Sequence, residues 1–341
     1  MALGCIRFFP IHNLFSLIFK LVFYVYHVSV TFAMVVPTSN PTGGPHLPHT
    51  SFPIHMSFDL LQIQRDLIDV AKKAGETIRV RSGTVEFDDK KNSVDLVTEV
   101  DKAVEAQVNK ALKEKYPDFA FMGEETYVPG KSVLTDEPTF IVDPIDGTTN
   151  FIHFFPQACI SLGLAVEKTP VVGVIYNPFL DQLYTGVKGN GAFLNGEKLP
   201  LRPSSRPLTL QGSLCAIEWG SDRDNENYAN KLATFDNLAR KDGGFVHGFR
   251  SMGSAALNLG AVAAGLVDSY WEGGCYAWDV CAGWVVLTEA GGTMVSGNPG
   301  DWTPEVTNRV YLAVRGANEE QQREYIENYW KHIKGTLTYH H

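Results

Sequence analysis

Neither a basic surplus nor a cysteine framework is found in this chain of 341 residues. Lys and Arg total 29 against 38 Asp and Glu, a formal net charge of -9. No excess of cations exists to displace the counterions of a nucleic-acid backbone, so nucleic acid is excluded as the main partner and metal cations suit the charge better. The five cysteines, Cys5, Cys159, Cys215, Cys275 and Cys281, are odd in number and contain no C-x-x-C pair. That excludes a disulfide scaffold and a zinc ribbon, and fits a reducing, cytoplasmic compartment. No internal repeat occurs. With 44% hydrophobic and 20% charged residues, the composition is that of an ordinary globular protein rather than a disordered one, and the length suffices for one large or two small packed domains.

Residues 1–56 differ in character from the rest. An apolar run from Leu14 to Val36, broken chiefly by Lys20, His27 and a few hydroxyls, is long enough to span a bilayer, and a Pro- and Gly-rich linker, Pro37 to Pro53, follows it. Three readings stay open: a membrane anchor or signal, an upstream extension of a protein that starts at Met56, or something else. Membrane association is expected only under the first. His46, His49, His55, His340 and His341 are scattered tail histidines rather than a ligand set.

From Ser57 the spacing of Leu60, Ile63, Leu67, Ala71, Ala74 and Ile78 predicts a core-packing helix to about Arg81. Val85 to Val97 reads as a hairpin around the charged turn Asp88 to Asn92. Thr98 opens a second helix, and Asp101 three residues later completes a capping box. The strand Phe119 to Met122 runs into Gly123, Glu124 and Glu125. Residues 157–201 form an antiparallel meander, whose glycines Gly186, Gly189 and Gly191 belong to hairpin turns. After Pro207 strands and helices alternate: strand 213–218, helix 225–240, strand 245–247, apolar helix 253–265, strand 267–271, a helix with Asp279 as N-cap, strands near 293–295 and 309–313, and a final helix 318–333.

The stretch F-I-V-D-P-I-D-G-T-T-N-F, Phe140 to Phe151, organises the chain. An apolar strand from Thr139 is expected to stop at Pro144, leaving Asp143 at its end and Asp146 in the turn that follows. Read locally, the same residues fit a solvated Asp-Pro, Asp-Gly turn. Glu124, Asp143, Asp146 and Asp279 each stand at a strand end or a helix start, where one sheet can bring them together. Four converging carboxylates repel one another unless cations intervene. Oxygen ligands suit Mg²⁺, and a pair of divalent ions about 4 Å apart is the two-metal arrangement for phosphate-ester hydrolysis. A helix beginning at Gly147 and Thr148 presents free amides to a phosphate.

The segments G-E-E at 123–125, D-P-I-D-G-T-T-N-F at 143–151 and W-D-V-C-A-G at 278–283 resemble the inositol monophosphatase family in kind and order. The resemblance runs from residue 57 to the C-terminus, which places a catalytic domain at 57–338. It implies an α/β layered sandwich of alternating αβαβα layers, a homodimer, and hydrolysis of a phosphate monoester with two or three Mg²⁺ per site. Glu124, Asp143 and the Ile145 carbonyl are implied ligands of one ion; Asp143, Asp146 and Asp279 of a second. Thr148 and Asp101 orient the attacking water, with Glu124 counted among the catalytic residues, while Gly147 and Thr148 amides hold the phosphate. Glu272, Ser221 and Ala255 resemble the inositol contacts, and Lys90 a lysine of a mobile loop. Tyr276 and Ser254 depart from the common His and Thr. Other phosphate esters (fructose 1,6-bisphosphate, a sugar 1-phosphate, histidinol phosphate, 3′-phosphoadenosine 5′-phosphate) are alternative substrates, and a catalytically inactive metal-binding or membrane-tethered protein is the alternative of another class.

Overall fold

The computed structural model describes residues 58–82, 87–89, 96–201 and 206–340. The apolar segment 14–36, the boundary at residue 56 and Lys90 fall outside the described residues. No helix among the described residues is long and apolar enough to cross a membrane.

Helix α1 (Leu60–Arg81) is capped by Asp59, whose carboxylate accepts from the Leu61 and Gln62 amides. A short antiparallel pair, β1 (Phe87–Asp89) and β2 (Leu96–Thr98), leads into α2 (Glu99–Lys115). As the sequence predicts, Thr98 caps α2, and Thr98 and Asp101 bond reciprocally in a capping box.

A seven-stranded sheet follows, ordered β3 (Ala120–Gly123), β4 (Thr139–Asp146), β5 (Cys159–Val166), β6 (Thr169–Asn177), β7 (Gln182–Val187), β8 (Gly191–Leu194) and β9 (Glu197–Lys198). Only β3 and β4 are parallel; from β4 onward every pairing is antiparallel, which is the expected meander. The short helix α3 (Thr148–Ile152) links β4 to β5.

The second sheet has five strands: β10 (Leu214–Ile217), β11 (Gly248–Arg250), β12 (Ser269–Gly273), β13 (Thr293–Ser296) and β14 (Val310–Val314), in spatial order β11-β10-β12-β14-β13. Between its strands run α4 (Glu226–Ala239), α5 (Ala255–Ala263) and α6 (Ala277–Glu289), and α7 (Glu319–His332) closes the chain.

Three apolar cores stack these elements. Leu67, Val104, Val142 and Leu162 bury α1 and α2 on the outer face of the large sheet. Leu257, Val262, Val286, Ile175 and Tyr311 place α5 and α6 between the two sheets. Phe235, Leu238, Ile326 and Tyr329 set α4 and α7 on the outer face of the small sheet, against Cys215 and Leu312. The order is αβαβα. Each of these buried aliphatic side chains contributes about 1.5–3 kcal/mol relative to exposure. Close approach between layers requires glycine at Gly173, where an added Cβ would lie 2.2 Å from the Ala282 carbonyl oxygen of α6. The described cysteines are free and buried.

Three expectations are corrected. Pro144 does not stop β4, which continues to Asp146 through a bulge. A bulge leaves one residue unpaired, which suits an imide nitrogen that has no proton to give. The strand expected at 245–247 lies at Gly248–Arg250. The amides of Gly244 and Val246 are taken by the Asn237 and Leu238 carbonyls at the end of α4, and Phe245 has φ 48°, so this stretch is a helix exit. Asp279 is the third residue of α6, not its N-cap; the helix begins at Ala277, and the Asp279 carboxylate accepts from the Tyr276 amide at 2.6 Å.

Candidate active site

The bulge in β4 decides the geometry. Side chains three apart on a regular strand face opposite ways. Here Asp143 pairs with Ser161 and Asp146 with Cys159, two apart on β5, so the extra residue returns both carboxylates to one face. That face is the one covered by α5 and α6. Ser161 donates to the Trp278 carbonyl at 3.1 Å, and the Cys159 thiol lies 3.6 Å from the Ser254 hydroxyl that caps α5. Ile145, on the other side of the bulge, packs with Val142 in the outer core.

Asp143, Asp146 and Asp279 place carboxylate oxygens within 4.8 Å of one another, and among the described residues they form the group suited to a metal ion. Asp143 is held by the Ile145 amide at 3.0 Å. Asp146 receives the Ser254 hydroxyl at 2.6 Å and the amides of Ala256 at 2.7 Å and Ala255 at 3.3 Å, so it sits at the positive end of α5. Burial holds the Asp143 carboxyl well above the usual range, and the charges of Glu124, Asp146 and Asp279 push it the same way. Asp279 is raised by burial and by Asp146 and Glu124. Asp146 is pushed up to about 6 by burial, although the Ser254 hydroxyl and the α5 amides pull it down. A site that strains three carboxyls toward protonation is one that a divalent cation relieves, and an all-oxygen donor set fits a hard cation.

Glu124 lies outside this tight group yet acts on it. It follows β3 directly, its amide bonded to the Val142 carbonyl at 3.2 Å, and its charge raises both Asp143 and Asp279. Behind it, the buried Glu105 of α2 accepts the Glu125 amide at 2.7 Å.

Thr148 and Asp101 are in contact. The Thr148 hydroxyl lies 3.3 Å from the Asp101 carboxylate and 3.1 Å from the Ile145 carbonyl oxygen. Asp101 is fully buried, and its other oxygen accepts the Thr98 amide at 2.9 Å, so the capping box and the contact to Thr148 use opposite ends of one carboxylate. Gly147 is in the left-handed region at φ 88°, and an added Cβ would meet the Gln157 carbonyl at 2.8 Å. Asn150 fixes the same turn by donating to the Gln157 and Met252 carbonyls, each at 2.7 Å.

Glu272 stands in β12, half-buried, bonded by the Tyr270 hydroxyl. Burial and the charge of Glu218 push it up to about 7, with Lys231 acting the other way. Ala255 is on α5 beside Asp146, and Ser221 is in the loop between β10 and α4. Tyr276 stacks on Trp278 at 4.5 Å, with the Arg309 guanidinium 3.5 Å over its ring. A 320 Å³ cavity beside that stack, lined by Tyr127, Leu134, Trp278 and Val306, contains none of the clustered acids.

Sequence reasoning missed Glu218 and Lys231. Glu218 is buried after β10 and accepts from Ser251, the Met252 and Gly253 amides and Asn258, at 2.7 to 2.9 Å. It obeys the same strand-then-acid pattern that singled out Glu124.

The family model of the inositol monophosphatase family matches residues 59–334. The chain belongs to the inositol monophosphatase family. It is similar to inositol monophosphatase 2 of Saccharomyces cerevisiae, with 51% identity over 82% of this chain and 98% of that protein. Inositol monophosphatase 1 of the same yeast is 49% identical over 83% of this chain and all of the relative. Among solved structures, an inositol monophosphatase from Anabaena superposes with TM-score 0.67 and 31% identity, covering 81% of this chain and 97% of that one. The αβαβα layering that the resemblance implies is the layering found in the structure.

Proposed function

We propose that the chain hydrolyses myo-inositol 1-phosphate to myo-inositol and inorganic phosphate, with Mg²⁺ held by Asp143, Asp146 and Asp279, and by Glu124 and the Ile145 carbonyl. The observation that carries this reading is the convergence of Asp143, Asp146 and Asp279 next to the Thr148–Asp101 contact. Names of the yeast relatives, both inositol monophosphatases, support the choice of ester.

Bound Mg²⁺ supplies Lewis-acid polarisation of water and of phosphate oxygen. The chain's own groups supply orientation and proton transfer. When the Thr148 hydroxyl donates to Asp101, its oxygen accepts a hydrogen bond from the attacking water and aims that water at phosphorus. As the water attacks, its proton passes to Thr148 while the Thr148 proton passes to the buried Asp101 carboxylate, which Thr98 fixes at its far end. Glu124 assists in the same step. The phosphate rests on the Gly147 and Thr148 amides, in a turn whose left-handed glycine and Asn150 bonds are set before substrate arrives. The water O–P bond forms, the ester P–O bond breaks, and the departing inositol oxygen takes a proton from solvent water, to which Asp101 later returns the proton it received. Glu272, Ser221 and Ala255 bind ring hydroxyls.

The catalytic domain spans 57–338 in this reading. The protein acts as a homodimer, to which the exposed neighbours Phe154 and Phe155 offer apolar surface. The test is phosphate release from a panel of monoesters with Mg²⁺ and with EDTA. Mg²⁺-dependent turnover that favours inositol 1-phosphate is the expected result; preference for a nucleotide or histidinol phosphate would replace the substrate, and no turnover of any ester would remove the enzymatic reading.

A further inference from the structure

Lys231 is the most deeply buried cation described in the chain, with no side-chain or backbone surface exposed. Burial pulls its ammonium below the ordinary lysine range, so an apolar residue of the same length would fit this helix face at less cost if packing were its only task. Its bonds indicate another task. The Nζ donates to the Trp219 carbonyl at 3.0 Å and to the Gly273 carbonyl at 2.8 Å. Trp219 and Gly220 immediately precede Ser221; Gly273 immediately follows Glu272. One ammonium on α4 therefore ties the β10–α4 loop to the end of β12. No room for a side chain is left between them: Gly220 has φ 62°, and a Cβ added to it would lie 2.8 Å from Nζ and 3.3 Å from the Gly273 oxygen. The Glu272 and Asp222 carboxylates act on the ammonium from nearby, and the Tyr339 ring lies 5.8 Å from it.

We propose that Lys231 is a positioning residue for substrate specificity, setting the Ser221 loop against Glu272 so that the two grip the hydroxyls of a polyol ring. This rests on the reading of Ser221 and Glu272 as the ring contacts. Lys231 touches none of the clustered acids by hydrogen bond, so its effect falls on recognition of the ring and leaves the phosphate chemistry alone.

The test compares Lys231→Met and Lys231→Gln on myo-inositol 1-phosphate and p-nitrophenyl phosphate in saturating Mg²⁺. Met keeps the length and removes charge and donors; Gln keeps donors for the two carbonyls. Lys231→Met should lower kcat/KM on inositol 1-phosphate by about tenfold to thirtyfold, mainly through KM, and alter p-nitrophenyl phosphate hydrolysis by less than about threefold. Lys231→Gln should recover part of the loss. In a Glu272→Gln background the Lys231→Met effect on inositol 1-phosphate should shrink to under about threefold, because the tether then positions a weakened acceptor. Equal losses on both substrates, no loss on either, or an undiminished effect in that background would overturn the proposal. If the Met variant does not fold, as circular dichroism would show, the Gln variant decides on the same substrate ratio. Failure of the underlying reading looks different: the wild type itself would then show no preference for inositol 1-phosphate, and the proposal would fall with it.

Discussion

Asp143 and Asp146 are three residues apart in the chain and two apart in register, opposite Ser161 and Cys159, and this one-residue discrepancy puts both carboxylates on the same face of the large sheet. Asp279 joins them from the first turn of α6. Three acids held this close without a cation store repulsion, which gives a first prediction with two signs. Asp143→Asn and Asp279→Asn should each lower Mg²⁺-dependent turnover by more than about a hundredfold, since a ligand is lost. In EDTA the same variants should melt at least about 2 °C above the wild type, since a like charge is removed. Near wild-type turnover, or a lower melting temperature in EDTA, would contradict the assignment.

The pH dependence of the metal-free protein follows from the same crowding. Burial pushes Asp146 up to about 6 and Glu272 up to about 7, above the unfolded values near 4. A folded pKa raised in this way contributes stability that is complete below the unfolded value and is lost as pH rises through about 6 and 7. The protein in EDTA should therefore melt higher at pH 5 than at pH 7.5. Mg²⁺ competes with protons for the Asp146 oxygens, though not for those of Glu272, so its stabilising effect should be larger at pH 7.5. Calorimetry at the two pH values, with and without metal, reads both trends, and a melting temperature in EDTA that climbs with pH would refute the account.

The distance between α6 and the large sheet can be tested apart from charge. A Cβ at residue 173 would lie 2.2 Å from the Ala282 carbonyl oxygen, a backbone atom that cannot swing aside. Gly173→Ala should cost about 1–3 kcal/mol in urea denaturation. It should also reduce activity, because α6 carries Asp279. Unchanged stability would mean that the helix is free to shift.

How far the sequence reveals these arrangements depends on whether the signal is local. The Thr98–Asp101 capping box is complete within four residues, and it is found as expected, as are the meander and the buried α5. The bulge at Pro144 depends on the register of β5, and the start of α6 on a clamp from far along the chain: Arg309 binds the Cys275 carbonyl at 2.6 Å and the Gly274 carbonyl at 2.7 Å. Neither partner is near in sequence, so Pro144 reads as a strand stop and Asp279 as an N-cap. Lys231 is hidden for another reason. Asn227, Lys231 and Thr234 share the buried face of α4 with Phe235 and Leu238, but polar residues at helical spacing read as solvent-facing until the carbonyls they serve are known.

Glu272 gives the sharpest test of substrate choice. Its carboxylate lies in β12 between the Tyr270 hydroxyl and the field of Lys231, apart from the Asp143, Asp146 and Asp279 group. A charged acceptor for a ring hydroxyl contributes about 1.5–3 kcal/mol. Glu272→Gln keeps size and one acceptor oxygen and removes the charge, so inositol 1-phosphate turnover should fall by about tenfold to a hundredfold at about 1.4 kcal/mol per decade. p-Nitrophenyl phosphate has no ring hydroxyls to lose and should fall far less. Because both substrates are read on one preparation, misfolding or metal loss would lower them together and cannot imitate a selective loss. A common factor for the two would instead place Glu272 in support of the fold around β12, and the polyol assignment would lose the residue that discriminates it from other phosphate esters.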